Sequence, residues 1–494
     1  MRRRVLGIAL VLALAACVAP QVRGEPLDPW SAAAADTTVV TDPTPLFDAN
    51  ELKTLRDIAA GTWNLLSGPQ LNPATHLLRN SVRLAGKPGP NVELAPPSPN
   101  EEYTNPALIG NWLTSIVAAE DIGLISHEQA LAHASATLDQ IRRLATYKGF
   151  FFRWYDTETG KPLESPQGKP IKDGYVSTVD NGWLAQGLLT ASDAFPTLDF
   201  RSFADAMQWD FLYHKSDNVL YNGYQVGGSY STSAYTNLYS GPRIADYMAI
   251  GSGKVPGSLW WGLARTPPKE RRQRQVPQGR DMTYTDPQNN KTYTVYEGHY
   301  TFNRIKFVPT FNGSLYQALA PALVIPEQTM APKSLGLNNR NTALCHGSYG
   351  SYSAHSPTWG WVPATTPPDG RYTNYGAPDL GIDHGPISAD VTAPYAAFLA
   401  LPVIPRQAFT NITNLVTSYP NLRNQYGFLD SVTISTGRIS TRFMAISQTA
   451  ILMAIANTLT HNKLQAHFGA TSYARVVAPY LEMERFTIVG LADP

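Results

Sequence analysis

The stretch that decides the fold runs from Val295 to Glu327 and reads VYEGHYTFNRIKFVPTFNGSLYQALAPALVIPE. A strand signal leads into it, because Thr292–Val295 and Met282–Thr285 are rich in Thr and Tyr and flank a turn containing Asp, Pro and Asn. This pattern predicts a β-hairpin. Residues 313–321 then predict a short helix. Within that helix Gln317 carries a carboxamide, which cannot exchange a proton at working pH as a carboxylate does.

Helical patterns dominate the rest of the chain on both sides of this stretch. Apolar residues recur on one face from Leu52 to Leu66 and again from Leu108 to Ile116. Ser126 and Gln129 have the form of a capping box before a third apolar face. Further helices are predicted at 180–193, 199–209, 241–251, 388–401, 405–418 and 443–459. Many helices joined by long aromatic loops favour an all-α toroid with a cleft at one end.

The N-terminus predicts export. Three arginines, Arg2 to Arg4, precede a short apolar run that is too short for a membrane span of roughly 20 residues. The sequence Leu14-Ala15-Ala16-Cys17 then looks like a bacterial lipobox. We therefore expect a cell-envelope lipoprotein, lipidated at Cys17 and facing out of the cytoplasm. An ordinary signal peptide, cut at a small residue nearby, is the alternative.

This interpretation divides the chain into three parts. Residues 1–16 are the predicted signal peptide and 17–47 a lipid-anchored tether, because Ala, Pro, Thr and Asp predominate there without periodicity. Residues 48–494 are expected to form a single folded domain, since no interior low-complexity linker interrupts the helical patterns. The membrane would then be a partner through Cys17 alone.

Composition narrows the classes of ligand. The net charge of the 494 residues is +1, and this near-neutral balance argues against nucleic acid as a partner. The 25 Tyr and 10 Trp suit sugar binding, because a flat ring can stack on a pyranose face. Cys345 and His346 have no second ligand pair at metal-site spacing, so neither a metal nor a cofactor is expected. An oligo- or polysaccharide is the predicted partner.

A series of sequence blocks resembles the glucoamylase-like family of exported glycoside hydrolases. The family includes endo-β-1,2-glucanases and the cyclising domain of cyclic β-1,2-glucan synthases. The resemblance implies an (α/α)6 barrel with long loops and short β-hairpins at the cleft end, and a β-glucan or cell-envelope glycan as substrate. Besides the opening stretch, the blocks are Asn105–Gly110 (NPALIG), Gly149–Thr157 (GFFFRWYDT), Ser177–Ala185 (STVDNGWLA), Gly241–Tyr247 (GPRIADY), Tyr372–Pro378 (YTNYGAP), Val391–Leu401 (VTAPYAAFLAL) and Tyr426–Asp430 (YGFLD).

Two positions depart from the family pattern. The family's E-P-R block carries a cleft Glu where this chain has Gly241, and its F-E pair carries another where this chain has Gln317. Glycoside hydrolysis normally needs one carboxyl group to protonate the leaving oxygen and a second to activate water or attack. Loss of a proton donor typically lowers the rate ~10²–10⁴-fold.

Three carboxylates remain as catalytic candidates: Asp180, Asp430 and Glu297. Asp180 could equally be an N-cap, and Glu297 could equally be an exposed strand residue. The resemblance implies a general base at Asp430. Candidates for substrate binding, taken from the matching blocks, are Trp154, Tyr155, Asp156, Trp183, Arg243, Gln317, Tyr372 and Tyr375. The aromatic members of this set are expected to be partly exposed, since stacking needs a free ring face.

Two functions therefore remain open from the sequence. One is an active glycoside hydrolase that uses Asp180, Asp430 or Glu297 by carboxylate acid/base hydrolysis. The other is a catalytically silent glycan-binding lipoprotein that keeps the aromatic cleft. The basic segment 269–280 is expected to be a solvated loop, with contact to an anionic glycan or to lipid headgroups as the functional alternative.

Overall fold

A computed structural model describes residues 27–166, 174–267, 275–383 and 388–492 of the chain. The predicted signal peptide, Cys17 and residues 269–274 of the basic segment lie outside these described residues. In the order of the chain, the α-helices are α1 Pro29–Ala35, α2 Ala49–Leu66, α3 Pro106–Asp121, α4 His127–Ile141, α5 Thr178–Ala194, α6 Arg201–Ala206, α7 Arg243–Gly251, α8 Leu259–Gly262, α9 Leu315–Leu319, α10 Glu327–Met330, α11 Leu335–Tyr352, α12 Tyr395–Ala400, α13 Pro405–Ser418, α14 Ala445–Leu459, α15 Lys463–Gly469 and α16 Ser472–Met483.

The strands are short and lie between the helices, as the sequence predicts. They are β1 Ser81–Arg83, β2 Tyr103–Thr104, β3 Thr146–Tyr147, β4 Phe150–Phe151, β5 Tyr155–Asp156, β6 Tyr175–Ser177, β7 Tyr213–His214, β8 Val219–Tyr221, β9 Gly223–Gln225, β10 Ala234–Tyr235, β11 Gln278–Thr285, β12 Thr292–Phe302, β13 Ile305–Phe307, β14 Ala364–Thr365, β15 Tyr372–Thr373, β16 Val391–Thr392, β17 Arg423–Asn424, β18 Gly427–Phe428, β19 Val432–Thr433 and β20 Arg442–Met444.

The predicted hairpin is confirmed and is longer than the sequence signal. β11 and β12 pair antiparallel from Gln278 opposite His299 to Thr285 opposite Thr292. β13 adds to the other edge of β12, which makes a sheet of three strands. The turn is fixed by Asp286, whose Oδ1 accepts hydrogen bonds from the backbone N–H groups of Gln288 and Asn289.

The contacts between pairs of helices form a closed circuit. Each of these helices contacts the next: α7, α5, α3, α14, α12, α9, α11, α10, α16 and then α7 again. α2 and α4 lie outside, against α14 and α3, while α13 covers α12 and α15 covers α5. α3, α5 and α14 are buried on nearly all sides, as expected for helices that are apolar around their whole circumference.

Close helix contacts and capped helix ends explain why this arrangement forms. α3 and α5 approach through Gly110 and Gly187, where a Cβ on Gly187 would lie 2.3 Å from the Gly110 carbonyl oxygen. The predicted capping box is confirmed, because the Ser126 hydroxyl accepts from the Gln129 N–H and the Gln129 side chain accepts from the Ser126 N–H. Within the described residues, no helix is both long and apolar enough to cross a bilayer.

Candidate functional site

A cavity of about 390 Å³ lies where the segment before α7 meets the segment before α9. Its lining consists of amide, hydroxyl, aromatic and small apolar side chains. Among the described residues that line it there is no carboxylate and no cation. The lining residues are Asn222, Ser233, Ala234, Tyr235, Thr236, Asn237, Ser240, Pro242, Phe311 and Gln317.

The two positions that depart from the family pattern are neighbours beside this cavity. A Cβ built on Gly241 would lie 3.7 Å from Cα and 3.8 Å from Cγ of Gln317, an ordinary van der Waals distance. Ser240 and Pro242, on either side of Gly241, line the cavity. Gln317 Oε1 accepts a hydrogen bond from the Phe311 N–H at 3.2 Å. This placement agrees with the sequence-based expectation, and it leaves room for a longer side chain at Gly241.

Two lining residues present acceptors without a partner. The side-chain oxygens of Asn222 and Asn237 are buried, and neither receives a hydrogen bond from the described part of the chain. A buried acceptor of this kind normally costs free energy unless a ligand or water supplies the donor. Because sugar hydroxyls are good donors, the cavity has the polarity expected of a site for a neutral sugar. Neither asparagine was identified from the sequence.

Asp180 lies in the first turn of α5, close to this cavity. Its N-cap interpretation is wrong, because Ser177 is the N-cap and its hydroxyl accepts from the Asp180 N–H. Burial raises the pKa of the Asp180 carboxyl, against the opposing effects of Ser177 and the Arg153 guanidinium. The Asp180 charge in turn adds to the effect of burial in raising the pKa of Tyr235, a cavity residue.

Asp430 is fully buried and firmly held. Its carboxylate accepts hydrogen bonds from the Thr365 N–H at 2.7 Å, the Thr365 hydroxyl at 2.8 Å and the Ser447 hydroxyl at 2.7 Å. Burial raises the pKa of Asp430, and these three donors oppose the rise. Burial raises the pKa values of the Tyr372 and Tyr395 hydroxyls, and the Asp430 charge raises them further. Its role as general base stays a prediction.

Tyr316 connects the surroundings of the two aspartates. Its ring packs edge-on against Tyr395, with centroids 6.1 Å apart. Burial raises the pKa of Tyr316, and the Asp180 charge raises it further. Tyr316 itself contributes to the raised pKa values of Tyr372 and Tyr395 beside Asp430. The structure therefore brings Asp180 and Asp430 to a common tyrosine cluster.

Glu297 is not part of this site, and the expectation that it reaches the cleft is wrong. The alternation along β12 turns Val295 and Glu297 inward, so that Glu297 is 1% exposed. It lies 3.3 Å from the Arg265 guanidinium and accepts a hydrogen bond from the Tyr284 hydroxyl at 2.9 Å. Burial, with the nearby Glu484 charge, raises the pKa of Glu297 to about 9, so the two acids that share Arg265 hold a proton at neutral pH.

Arg243 also has a structural position, so its expected contact with substrate is wrong. It is 0% exposed and pairs with Glu327, with Nε to Oε1 at 2.7 Å and Nη2 to Oε2 at 3.0 Å. Glu327 accepts further hydrogen bonds from Tyr247 and Asn339. Arg243 Nη1 donates to the Gln317 backbone carbonyl at 2.8 Å. It therefore positions the helix that carries Gln317 and has no surface to offer a sugar.

The expected aromatic sugar platform is only partly present. Trp154 is partly exposed and Tyr372 is 42% exposed, which agrees with the expectation. Tyr155, Trp183 and Tyr375 are buried, at 0%, 4% and 5% exposure, so for them the expectation is wrong. The Tyr155 hydroxyl shows the reason, because it donates to a backbone carbonyl and accepts from a backbone N–H inside the core.

Two further acids, Asp156 and Asp246, differ in how their carboxyl groups are satisfied. Asp156 fixes a turn, since its Oδ1 accepts from the N–H groups of Glu158 and Thr159. Asp246, which was not predicted from the sequence, is 1% exposed on α7 and neither carboxyl oxygen has a hydrogen-bond partner among the described residues. Burial raises its pKa to about 8, although the Arg243 charge opposes this. The available signal was an acid inside the otherwise apolar run IADYMAI.

No group of three or more His, Cys, Asp or Glu side chains in the described ranges is arranged to hold a metal ion. Cys345 and His346 are both buried in α11. The amide, hydroxyl and aromatic side chains that line the cavity offer hydrogen bonding and ring stacking, and Asp180 and Asp430 are the nearby carboxyl groups.

Comparisons with known proteins connect this geometry to a family. Residues 260–470 match the Glycoamylase family model, whose description is "Putative glucoamylase". A 105-residue part of the chain is 34% identical to the cyclic beta-(1,2)-glucan synthase of Rhizobium meliloti; it represents 21% of this chain and 3% of the length of that relative. The resemblance to the glucoamylase-like family is thus confirmed.

Solved structures show the same fold over most of the chain. A "putative glucoamylase" from Bacteroides fragilis superposes with a TM-score of 0.67 at 18% identity, covering 90% of this chain and 98% of that one. The endo-beta-1,2-glucanase of Chitinophaga pinensis, in complex with sophorotriose and glucose, gives 0.65 at 15% identity, covering 88% and 98%. The endo-beta-1,2-glucanase of Talaromyces funiculosus, in complex with sophorose, gives 0.64 at 12%, covering 87% and 88%. At these identities the likeness establishes the helix-rich fold.

Proposed function

We propose that this chain is a glycoside-hydrolase-like protein that binds a β-glucan, with β-1,2 linkage, in the cavity beside Gly241 and Gln317. Binding without cleavage is its function. The observation that carries this proposal is the lining of the cavity, where amides, hydroxyls and aromatic rings stand without a carboxylate among the described residues.

The size and polarity of the cavity support a sugar ligand. A volume of about 390 Å³ lies within the range of small-ligand sites, ~300–1,000 Å³. Asn222 and Asn237 supply unpartnered acceptors for hydroxyl groups. Tyr235 and the 48% exposed Phe311 supply ring faces. The β-1,2 linkage is inferred from the relatives, two of which carry sophorose or sophorotriose in their structures.

We propose that the chain folds as an (α/α)6 barrel. The closed circuit of packed helices, with a second set of helices outside it, supports this assignment. The cavity residues come from segments that connect elements of the circuit, such as the residues before α7 and before α9. Function in α-helical folds is typically built from side chains that project inward from facing helices and their connections.

The missing acids favour binding over hydrolysis. A glycosidase needs a proton donor at the leaving oxygen and a second carboxylate. At the two positions where the family carries cleft acids, this chain has Gly241, which has no side chain, and Gln317, whose carboxamide cannot donate a proton to a leaving group. Gln317 keeps the hydrogen-bonding shape of the acid, which suits it to a sugar hydroxyl.

Hydrolysis is the second candidate function, and one observation favours it. Asp180 has a carboxyl group whose pKa is raised by burial, which is the condition that a general acid needs. Asp430, whose charge acts on Tyr395 next to Tyr316, would then be the second carboxyl group. In this alternative the site is still catalytic, and its two acids stand at positions other than 241 and 317.

The test uses linear β-1,2-gluco-oligosaccharides, with β-1,3- and β-1,4-linked glucans of the same length as specificity controls. Isothermal titration calorimetry measures binding, and release of reducing ends measures cleavage. We expect saturable binding of the β-1,2 series and no reducing ends from the wild type. The double variant Asn222→Ala with Asn237→Ala should lose binding, whereas Asn91→Ala, at an exposed position, should not.

Two outcomes would replace the proposal. Cleavage by the wild type that disappears in Asp180→Asn or Asp430→Asn would establish the hydrolase. If none of the three glucans binds, both the proposed glucan binding and the proposed hydrolysis are wrong. Restoration of both acids, Gly241→Glu with Gln317→Glu, should produce reducing ends if the chain descends from an active glucanase, since a Cβ at Gly241 meets no clash.

The location that we propose is the outer face of a bacterial membrane, with the folded domain tethered by a lipid on Cys17. The lipobox-like sequence supports this. The tether would end before Pro29, because α1, inside the range 17–47 that was expected to be a tether, is a helix that packs against α11. Incorporation of labelled palmitate into the wild type and its absence from Cys17→Ser would support the anchor. Equal labelling of both, or of neither, would contradict it.

A further inference from the structure

A second and larger cavity is strongly basic. Its volume is about 980 Å³, and it lies between the sheet β11–β12–β13 and the C-terminal segment that follows α16. It shares no lining residue with the cavity beside Gly241. Four of its lining residues are cations, Arg280, Lys306, Lys333 and Arg485, and none of the described lining residues is an acid. We call this the basic cleft.

The cations of the basic cleft are not neutralised by any carboxylate among the described residues. In the described part of the chain, none of the four forms an ion pair with a carboxylate. Arg485 Nη1 donates only to backbone carbonyl groups, among them that of Glu484 at 2.8 Å. Like charges that line one cavity repel each other unless a counterion lies between them, and a low-dielectric wall strengthens the field. The cleft is therefore electrostatically unsatisfied without an anion.

Two further observations indicate a ligand in the cleft. The Thr301 hydroxyl lines it, is buried, and has no hydrogen-bond partner within the described ranges. A hydroxyl of this kind can donate to an oxyanion. His299 also lines the cleft. Burial and the Lys306 charge lower the pKa of its imidazole to about 4, so the positive charge of the cleft acts on a neighbouring group. Its Nδ1 lies 2.8 Å from the Thr487 hydroxyl.

We propose that the basic cleft binds an oxyanion ligand that carries two or more phosphate or carboxylate groups. Its size exceeds the need of a single oxyanion, and the two arginines can bind such groups through paired N–H donors while the lysines act as point charges. The neutral glucan of the first cavity cannot satisfy these charges. The cleft is thus a second site with a different ligand class, and it does not depend on the proposed glucan binding.

The experiment uses the full chain, purified in a neutral detergent, and three probes. Pyrophosphate represents the phosphate class, trigalacturonate the carboxylate class, and maltotriose is the neutral control. Titration calorimetry at low ionic strength should show saturable binding of at least one anion and none of maltotriose. Raising the ionic strength should weaken the binding, because salt screens exposed charges. The anion that binds more tightly shows whether the ligand carries phosphate or carboxylate groups.

Variants locate the binding. Lys306→Gln with Arg485→Gln should weaken anion binding at least tenfold, whereas Lys215→Gln with Arg475→Gln, at exposed positions elsewhere, should leave it unchanged. If the first pair impairs folding, Arg280→Gln with Lys333→Gln replaces it, since both side chains are exposed. The proposal is overturned if neither anion binds, or if both cleft variants bind as tightly as wild type. Glucan binding by the same variants should stay intact, which separates this result from failure of the first cavity.

Discussion

The cavity beside Gly241 and the two buried ionic clusters each take residues from one stretch of chain, 295–327, yet these residues have opposite chemistry. Glu297 and Glu327, near the two ends of the stretch, are enclosed with arginines and are at most 1% exposed. Gln317, between them, is uncharged and faces the cavity. The two acids of this stretch are therefore enclosed in the fold, and the position that lines the proposed glucan cavity has an amide.

The two ionic clusters also differ from each other in charge balance. Glu327 faces one guanidinium, that of Arg243, and its oxygens are further satisfied by neutral donors. In the other cluster Glu297 and Glu484 share Arg265, so one carboxyl group is in excess. The raised pKa of Glu297 follows from burial and from this excess. The effect of burying an acid therefore depends on whether the acid has an arginine of its own, as Glu327 has, or shares one with a second acid, as Glu297 does.

The largest expected effect comes from the balanced cluster. Glu327→Gln leaves the Arg243 guanidinium buried without a counter-charge, and breaking such a pair costs about 3–5 kcal/mol of unfolding free energy. Urea unfolding at pH 7 measures the loss. Glu158→Gln, at an exposed turn, is the matched control and should change the free energy little. Equal stability of the two variants would contradict the structural role that we assign to Glu327.

Asp246 tests what happens when a buried acid has no donor among the described residues. Its pKa is about 8 in the folded chain, against an ordinary value of 3.8, so the folded chain retains a proton that the unfolded chain releases between these pH values. The free energy of unfolding should therefore fall as the pH rises from about 4 to about 8. Asp246→Asn removes this pH-dependent loss and should be more stable than wild type at pH 8, by on the order of 5 kcal/mol, because the pKa is raised by about four and each unit corresponds to ~1.4 kcal/mol.

Urea titrations of both proteins at pH 5 and at pH 8 measure the difference. A stability difference that stays the same at the two pH values would show that Asp246 is ionised in the folded protein. The Asp246 charge acts on Tyr235, which lines the cavity. If Asp246→Asn also loses glucan binding or cleavage, Asp246 has a role at the ligand site as well.

On the cavity side the expected effect is smaller. Asn237→Ala removes one acceptor for a sugar hydroxyl, and one hydrogen bond is worth about 1 kcal/mol, or roughly fivefold in affinity. Calorimetric titration with a β-1,2-gluco-oligosaccharide measures it. The thermal stability of this variant should be unchanged or slightly higher, because the unpartnered acceptor is gone. A loss of stability without a loss of affinity would place Asn237 among the structural residues.

The smallest effect is expected at the cluster with excess acid. Because the two acids that share Arg265 hold a proton at pH 7, Glu297→Gln introduces a neutral group there and keeps an acceptor for the Tyr284 hydroxyl. The free energy of unfolding should stay within about 0.5 kcal/mol of wild type, since the hydrogen bonds are conserved. Glu327→Gln, measured beside it, provides the contrast. A loss as large as that of Glu327→Gln would mean that Glu297 is ionised.

The sequence predicted part of the helices, from amphipathic faces and from long apolar runs. The helices α11, α15 and α16 were not predicted, and the helix expected at 388–401 is wrong at its start, where Val391–Thr392 form β16. The helix expected at 405–418 is α13, and that expected at 443–459 is α14. The hairpin was found because its turn residues are distinctive. The placement of Gly241 and Gln317 followed from the family pattern, since the residues beside them anchor both blocks in the sequence.

The errors concern which way a side chain faces. Strand periodicity shows that Glu297 shares a face with Val295, but not whether that face meets a cavity or an arginine. Aromatic content indicated sugar binding, yet Tyr155 and Trp183 fill the core instead. The unpartnered oxygens of Asn222 and Asn237 depend on tertiary contacts between distant segments, and no local pattern encodes them.

The open space at Gly241 has an evolutionary consequence. Its backbone is not in the left-handed region, and the nearest atoms to an added Cβ are 3.7 Å away. A glycine codon GGA or GGG becomes a glutamate codon through one base change, and so does either glutamine codon. An ancestor with acids at both positions and this chain can therefore be separated by two nucleotide substitutions, with no rearrangement of the backbone between them. Loss of the acids at these positions is a readily reversible step in the history of such a lineage.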